Sequence, residues 1–150
     1  MIFTKVAGFA EEMDVSDYHI ETVIVSNDDL NKRILRFKTD HGNEYGVRLN
    51  EESEALRNGA LFFIDDHNAV LITVRSEEFI EIQPKSMDEM GEVAHMLGNT
   101  HKPIVVENER IYLEIDPVVI QLLEKKKIAH EIKKITLKKP LKHVDLNHAH

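Results

Sequence analysis

The sequence predicts an α+β protein: an N-terminal all-β domain, then a ferredoxin-like βαββαβ domain, then a short flexible C-terminal tail. Three observations lead there. Before residue 77 the apolar residues come in short β-branched or alternating runs broken by Asn, Asp and Gly, with no sustained helical period. From residue 79 the pattern reads strand, helix, strand, strand, helix, strand, the order of the split βαβ arrangement. Beyond Lys138 periodicity is lost and the chain reads as a mobile end. The divisions fall at 1–75, 77–138 and 139–150.

Each element has its local reason. HIETVIVS (19–26) is rich in β-formers, and KRILRFKT (32–39) alternates Ile34, Arg36 and Lys38 against Leu35 and Phe37. DHGN (40–43) is a turn into the strand EYGVRL (44–49), and NEESEAL (50–56) allows at most a helical turn. GALFFI (59–64) and AVLITV (69–74) flank DDHN (65–68) as a second hairpin. FIEIQP (79–84) sets Phe79, Glu81 and Gln83 against Ile80 and Ile82 and stops at Pro84.

Ser86-Met87-Asp88-Glu89 is a capping box, in which Ser86 accepts from a free helix N–H and Glu89 reaches back. The helix that follows carries Met87, Met90, Ala94 and Leu97 as one apolar stripe, and Gly98 stands where a left-handed cap is expected. PIVVE (103–107) and RIYLEI (110–115) are strands joined by a tight acidic turn. Asp116-Pro117 opens a second helix through VVIQLLEKKK, with Pro at its first position. EIKKITL (131–137) is the last strand.

With 42% hydrophobic and 31% charged residues among 150, the chain can bury a core and stay soluble. No apolar run approaches the roughly 20 residues of a membrane helix, and MIFTKVAGFAEEMD turns acidic too early for a signal peptide. The absence of cysteine rules out disulfides, thiolate metal sites and thiol nucleophiles, and a reducing cytoplasm is the expected home. The net charge of −8 is uneven, because residues 125–150 hold eight lysines and two acids while the remainder is strongly acidic. An acidic body excludes nucleic acid as the main ligand, since phosphate contacts dominate that affinity. The basic end either steers an acidic partner or folds back on its own body. No phosphate loop, nucleophile elbow or HExxH is present, and the carboxylates form no evident catalytic pair. The chain is therefore not expected to be an enzyme.

Nine histidines remain. His19, His41, His67 and His130 sit in or beside strands and turns and read as surface or edge residues without partners at ligand spacing. His95 aligns with Asp88 and Glu92 on the polar side of its helix. His101 follows Gly98 by three residues and precedes a strand, so its ring stands at the sheet edge. One imidazole cannot hold a metal tightly, but an isologous dimer would bring two together. In the ending HVDLNHAH, His148 and His150 flank one alanine and His143 lies five residues before. On a flexible segment H-x-H can wrap one ion, and neutral imidazole suits Ni, Zn, Cu or Fe rather than Ca or Mg. Protons compete for imidazole, so affinity at such a site falls as pH drops through roughly 6.5.

The stretch EIQPKSMDEMGEVAHMLGNTHKP resembles the signature of the UreE family of urease accessory nickel metallochaperones, in which a strand ends in proline, a Met-containing helix follows and the helix ends in GN-x-H. DLNKRILRFKTDHGNEYGVRL (29–49) is similar to the matching part of that family's N-terminal domain, and the ending NHAH resembles its His-bearing tails. The resemblance implies a first domain similar to the peptide-binding modules of Hsp40 chaperones and a ferredoxin-like metal domain. It places the family's metal-ligating histidine on His101 and tail ligands on His148 and His150, with His143 as a further candidate. It implies a homodimer sharing one Ni(II), a metal-linked tetramer as a larger assembly, and delivery to urease apoprotein through the accessory GTPase, with Zn(II) as competitor. Two features depart from the family pattern: Thr100 stands where Arg is frequent, and Tyr112 and Glu114 stand where some members carry further histidines. A metal-independent protein-interaction or holdase module with incidental histidines is the competing reading.

Overall fold

The computed structural model describes residues 1–141, which form two compact units. The first comprises residues 1–75 with 136–140, and the second residues 76–135 with Leu141.

The first unit holds seven strands: β1 (Ile2–Phe3), β2 (Gly8–Phe9), β3 (His19–Val25), β4 (Ile34–Lys38), β5 (Glu44–Arg48), β6 (Ala60–Phe63) and β7 (Asn68–Val74). One sheet has the order β1-β5-β4 and the other β2-β6-β7-β3. Both expected hairpins form, with β4 antiparallel to β5 and β6 antiparallel to β7. Two pairings were not legible locally: β1 runs parallel to β5, and β3 parallel to β7. No helix forms at 50–56; instead short 3₁₀ turns occupy Ala10–Glu12 and Asp28–Asn31. The second of these buries Leu30.

Side chains of both sheets meet in one core that includes Phe3, Val23, Val47, Phe62, Val70 and Ile72. Phe3 stacks on Phe62 with ring centres 4.9 Å apart. This is the close side-chain interdigitation that sheet-on-sheet packing requires. Residues 136–140 lie against this unit: Thr136 donates to the Val74 carbonyl at 3.3 Å, Asn27 donates to the Lys139 carbonyl at 3.1 Å, and the Lys138 ammonium is 3.6 Å from Glu11. Part of the basic end therefore folds back on the acidic body.

The second unit runs β8 (Glu77–Ile82), α1 (Met87–Asn99), β9 (Ile104–Glu107), β10 (Arg110–Glu114), α2 (Pro117–Lys125) and β11 (His130–Ile135). Its sheet order is β11-β8-β10-β9 with every neighbour antiparallel, the ferredoxin-like topology the sequence predicted. Ile80, Ile82, Ile111 and Leu113 pack with Val93, Leu97, Val119 and Leu123 of the helices. The alternation in β8 suggested a polar face, but Phe79 and Glu81 are buried as well. Glu81 accepts from Tyr112 at 2.9 Å and from Gln83 at 2.9 Å, with the Lys133 ammonium 3.1 Å away. Burial alone would push the Glu81 carboxyl up; those three donors outweigh it and hold it below the usual glutamate value. Tyr112 moves the other way, to about 12, through burial and then the Glu81 carboxylate beside it. Among the described residues no helix is long and apolar enough to cross a membrane.

Candidate metal centre

The sequence around His101 builds its position from the helix outward. Ser86 caps α1 by accepting from the Glu89 N–H at 3.1 Å. Glu89 reaches back as expected, but to the N–H of Lys85 at 3.1 Å, one residue before the cap. The buried stripe of α1 is carried by Val93 and Leu97, with Met90, Ala94 and Met96 partly covered. Met87, expected in that stripe, is 89% exposed. It is the first residue of α1, directly after the Ser86 cap.

The end of α1 departs from expectation in a way that bears on the metal reading. Gly98 stays inside the helix, Thr100 is the last αR residue at φ −87°, and the left-handed residue is His101 at φ 58°. Helices commonly stop on such a residue, and glycine usually fills it because a Cβ there crowds the following carbonyl. Here a histidine occupies it. Its N–H donates to the Gly98 carbonyl at 3.1 Å, and Thr100 Oγ1 donates to the Leu97 carbonyl at 2.7 Å. The chain beyond is pinned by Lys102, whose ammonium meets the Asp116 carboxylate at 2.5 Å. That ion pair holds the Asp116 carboxyl below its usual range, and the same side chain caps α2 by accepting from the Val118 N–H at 2.9 Å. His101 is thus an exposed residue in a turn fixed on both sides, immediately before the edge strand β9.

His95 is exposed on α1, its Nε2 3.3 Å from Asn99 Nδ2. His130 opens β11, its Nδ1 2.8 Å from the Ile128 carbonyl. His143, His148 and His150 lie outside the described residues. Among the described residues no three His, Asp or Glu side chains are grouped so as to hold an ion. The histidines that do meet are His19 and His41, whose Nε2 atoms are 2.8 Å apart. The expectation that these two lack partners fails, because the sheet packing brings together residues 22 positions apart.

Comparison with known proteins covers nearly the whole chain. The family model described as the UreE urease accessory protein N-terminal domain matches residues 3–75, and that for the C-terminal domain matches residues 77–148. The chain is similar to a urease accessory protein UreE of Streptococcus vestibularis, 58% identical over the full length of both chains. It is 37% identical to that of Geobacillus kaustophilus and 35% to that of Staphylococcus aureus, each over 99% of both chains.

Proposed function

This chain belongs to the UreE family of urease accessory proteins, and on that premise we propose that it carries Ni(II) to urease during assembly of the urease active site. It is an accessory protein rather than an enzyme. In this reading two chains pair so that their His101 rings meet across a two-fold axis and share one Ni(II). His148 and His150, and His143 with them, supply further imidazoles. The observation that carries the reading is His101 itself: an exposed imidazole at a left-handed helix end, where the backbone favours glycine. Left-handed residues other than glycine persist where the surrounding structure holds them.

A shared axial site suits a carrier. Each chain contributes few ligands, so they can leave one at a time while a receiving protein's ligands enter. Imidazole chemistry ranks Cu(II) above Ni(II), with Zn(II) also competing, so choice of metal falls to geometry and partner docking. The receiving partners are the accessory GTPase and the urease apoprotein, in the cytoplasm. On the first unit, Ile2 and Ile34 are 63% and 66% exposed on neighbouring parts of one sheet, and this apolar surface is the natural place for a partner.

The test is His101→Ala in the full-length protein. It removes both axial rings at once, so tight Ni(II) binding is lost and urease in cells depending on the variant stays under-metallated. Unchanged stoichiometry and affinity would remove His101 from the site.

A further inference from the structure

We propose that His19 and His41 form a second metal site on the N-terminal β unit, a pair of adjacent imidazoles that takes a borderline divalent cation such as Ni(II) or Cu(II) weakly and reversibly. The inference goes beyond the carrier reading and stands on these two rings, whether or not His101 binds metal.

The geometry comes first. The Nε2 atoms are 2.8 Å apart, the ring centres 4.7 Å apart and the planes 89° to one another. Two imidazoles bound at about 2.1 Å and at right angles around one ion place their nitrogens about 3.0 Å and their ring centres about 4.6 Å apart. Without metal the two nitrogens share a hydrogen bond. Small rotations of the two rings would admit an ion in its place. Right-angled positions belong to square-planar or octahedral Ni(II) and Cu(II), whereas tetrahedral Zn(II) spreads the nitrogens further.

The second argument is orientation. Asp40 Oδ1 lies 2.7 Å from His41 Nδ1. The same oxygen accepts from the Thr22 N–H at 2.9 Å, which fixes the carboxylate where it accepts the Nδ1 proton. That leaves the His41 Nε2 lone pair free for a cation, the carboxylate–histidine arrangement that metal ligands use. The proton between the rings then belongs to His19 Nε2; when a cation binds there it moves to His19 Nδ1, so both rings ligate as neutral imidazoles.

Third, the surroundings hold both rings. The 39–43 turn is tied to β3 by the buried Glu21, which accepts from Thr39 Oγ1 and Asn43 Nδ2, each at 2.7 Å, and from the Tyr45 hydroxyl at 3.1 Å. The Asp40 N–H donates to the Thr22 carbonyl at 3.0 Å, and the His19 N–H to the His67 carbonyl at 2.7 Å. Both histidines are exposed, so an ion has access. With two protein ligands and, among the described residues, no third side chain grouped with them to bind the same ion, the remaining positions go to water. Binding is accordingly weak, which fits a place where metal is loaded or exchanged rather than stored.

The experiment is a titration of the full-length His101→Ala protein with Ni(II), followed by the imidazole ring signals in NMR. Paramagnetic Ni(II) should broaden His19 and His41 together, at concentrations that leave His95 and His130, both on the second unit, sharp. His41→Ala should abolish the broadening at His19. Asp40→Asn, which keeps an oxygen for the Thr22 N–H, should raise the midpoint about tenfold, as loss of such orienting partners typically does. Equal broadening of all exposed histidines, or broadening at His19 that survives His41→Ala unchanged, would overturn the site. An unchanged midpoint in Asp40→Asn would overturn the orienting role given to that carboxylate.

Discussion

His101 and the His19–His41 pair present imidazole to solvent in opposite ways. His101 is fixed by its own neighbourhood: a helix ends, the backbone turns left-handed, and Lys102 is tied to Asp116. Among the described residues it belongs to no group of three His, Asp or Glu side chains that could hold an ion. The pair is fixed by distant strands. Glu21 on β3 gathers the turn between β4 and β5, and two histidines far apart in sequence meet as a result. A ligand that is to be shared between chains has to stand alone on each of them. A pair already satisfied within one chain has no need of a second copy.

The two histidine sites separate most clearly when His101 is replaced. His101→Ala should lower Ni(II) affinity at the tight site by more than about a hundredfold, over 2.7 kcal/mol, while leaving the His19–His41 ring signals unmoved. Calorimetry on the variant reads the first effect and NMR the second. If the tight site survives while the pair is disturbed, the roles assigned here are reversed.

Next comes the network behind the pair. Burial pushes the Glu21 carboxyl up, but hydrogen bonds from Thr39, Asn43 and Tyr45 and the nearby His41 outweigh it, so its folded value lies below normal. A depressed carboxyl contributes its full stability above the unfolded value of about 4.3 and loses it as pH falls through the lower folded value. Glu21→Gln should therefore cost about 2 kcal/mol at neutral pH, from charge-assisted hydrogen bonds made weaker. The gap to wild type should close on acidification below roughly pH 4. Denaturation at several pH values measures it, and a gap constant with pH would show that Glu21 acts by packing alone.

A smaller effect concerns the segment after His143. Ending the chain there removes His148 and His150 and should weaken Ni(II) roughly tenfold, about 1.4 kcal/mol. An unchanged isotherm would exclude the tail from the site.

The smallest effect is on backbone strain. His101→Gly abolishes the ligand as alanine does, but relieves a left-handed Cβ costing about 1–2 kcal/mol. Glycine's greater freedom when unfolded returns up to about 1 kcal/mol of that. A net gain in stability of about 0.5 kcal/mol is expected by urea denaturation. A loss would mean that the imidazole makes stabilising contacts within its own chain.

Much of this was legible in the sequence because it is local. Asp116-Pro117 and Ser86 announce helix starts through side-chain chemistry within four residues, and DHGN and DDHN announce hairpins. The strand-helix order of the second unit follows from those signals, and so does the position of His101 between helix and strand. What was not legible depends on partners far along the chain. The parallel pairing of β3 with β7 has no local mark, and Glu81 looks like the solvent side of an alternating strand until Tyr112 and Lys133 arrive beside it. Gly98 misled because composition suggests where a left-handed turn is cheap, whereas hydrogen bonding decides where the helix stops. The His19–His41 contact left one faint signal, a histidine in a tight turn directly after an aspartate. Only the packed sheets say which ring it meets.

In the proposed carrier the tight metal site belongs to two chains and not to one. Calorimetric titration of Ni(II) into metal-free protein, with light scattering on the same samples, tests it directly. One tight Ni(II) per two chains, carried by a dimer and lost in His101→Ala, is the expected result. A tight site filled to one Ni(II) per chain regardless of association, or no tight site at all, would contradict it.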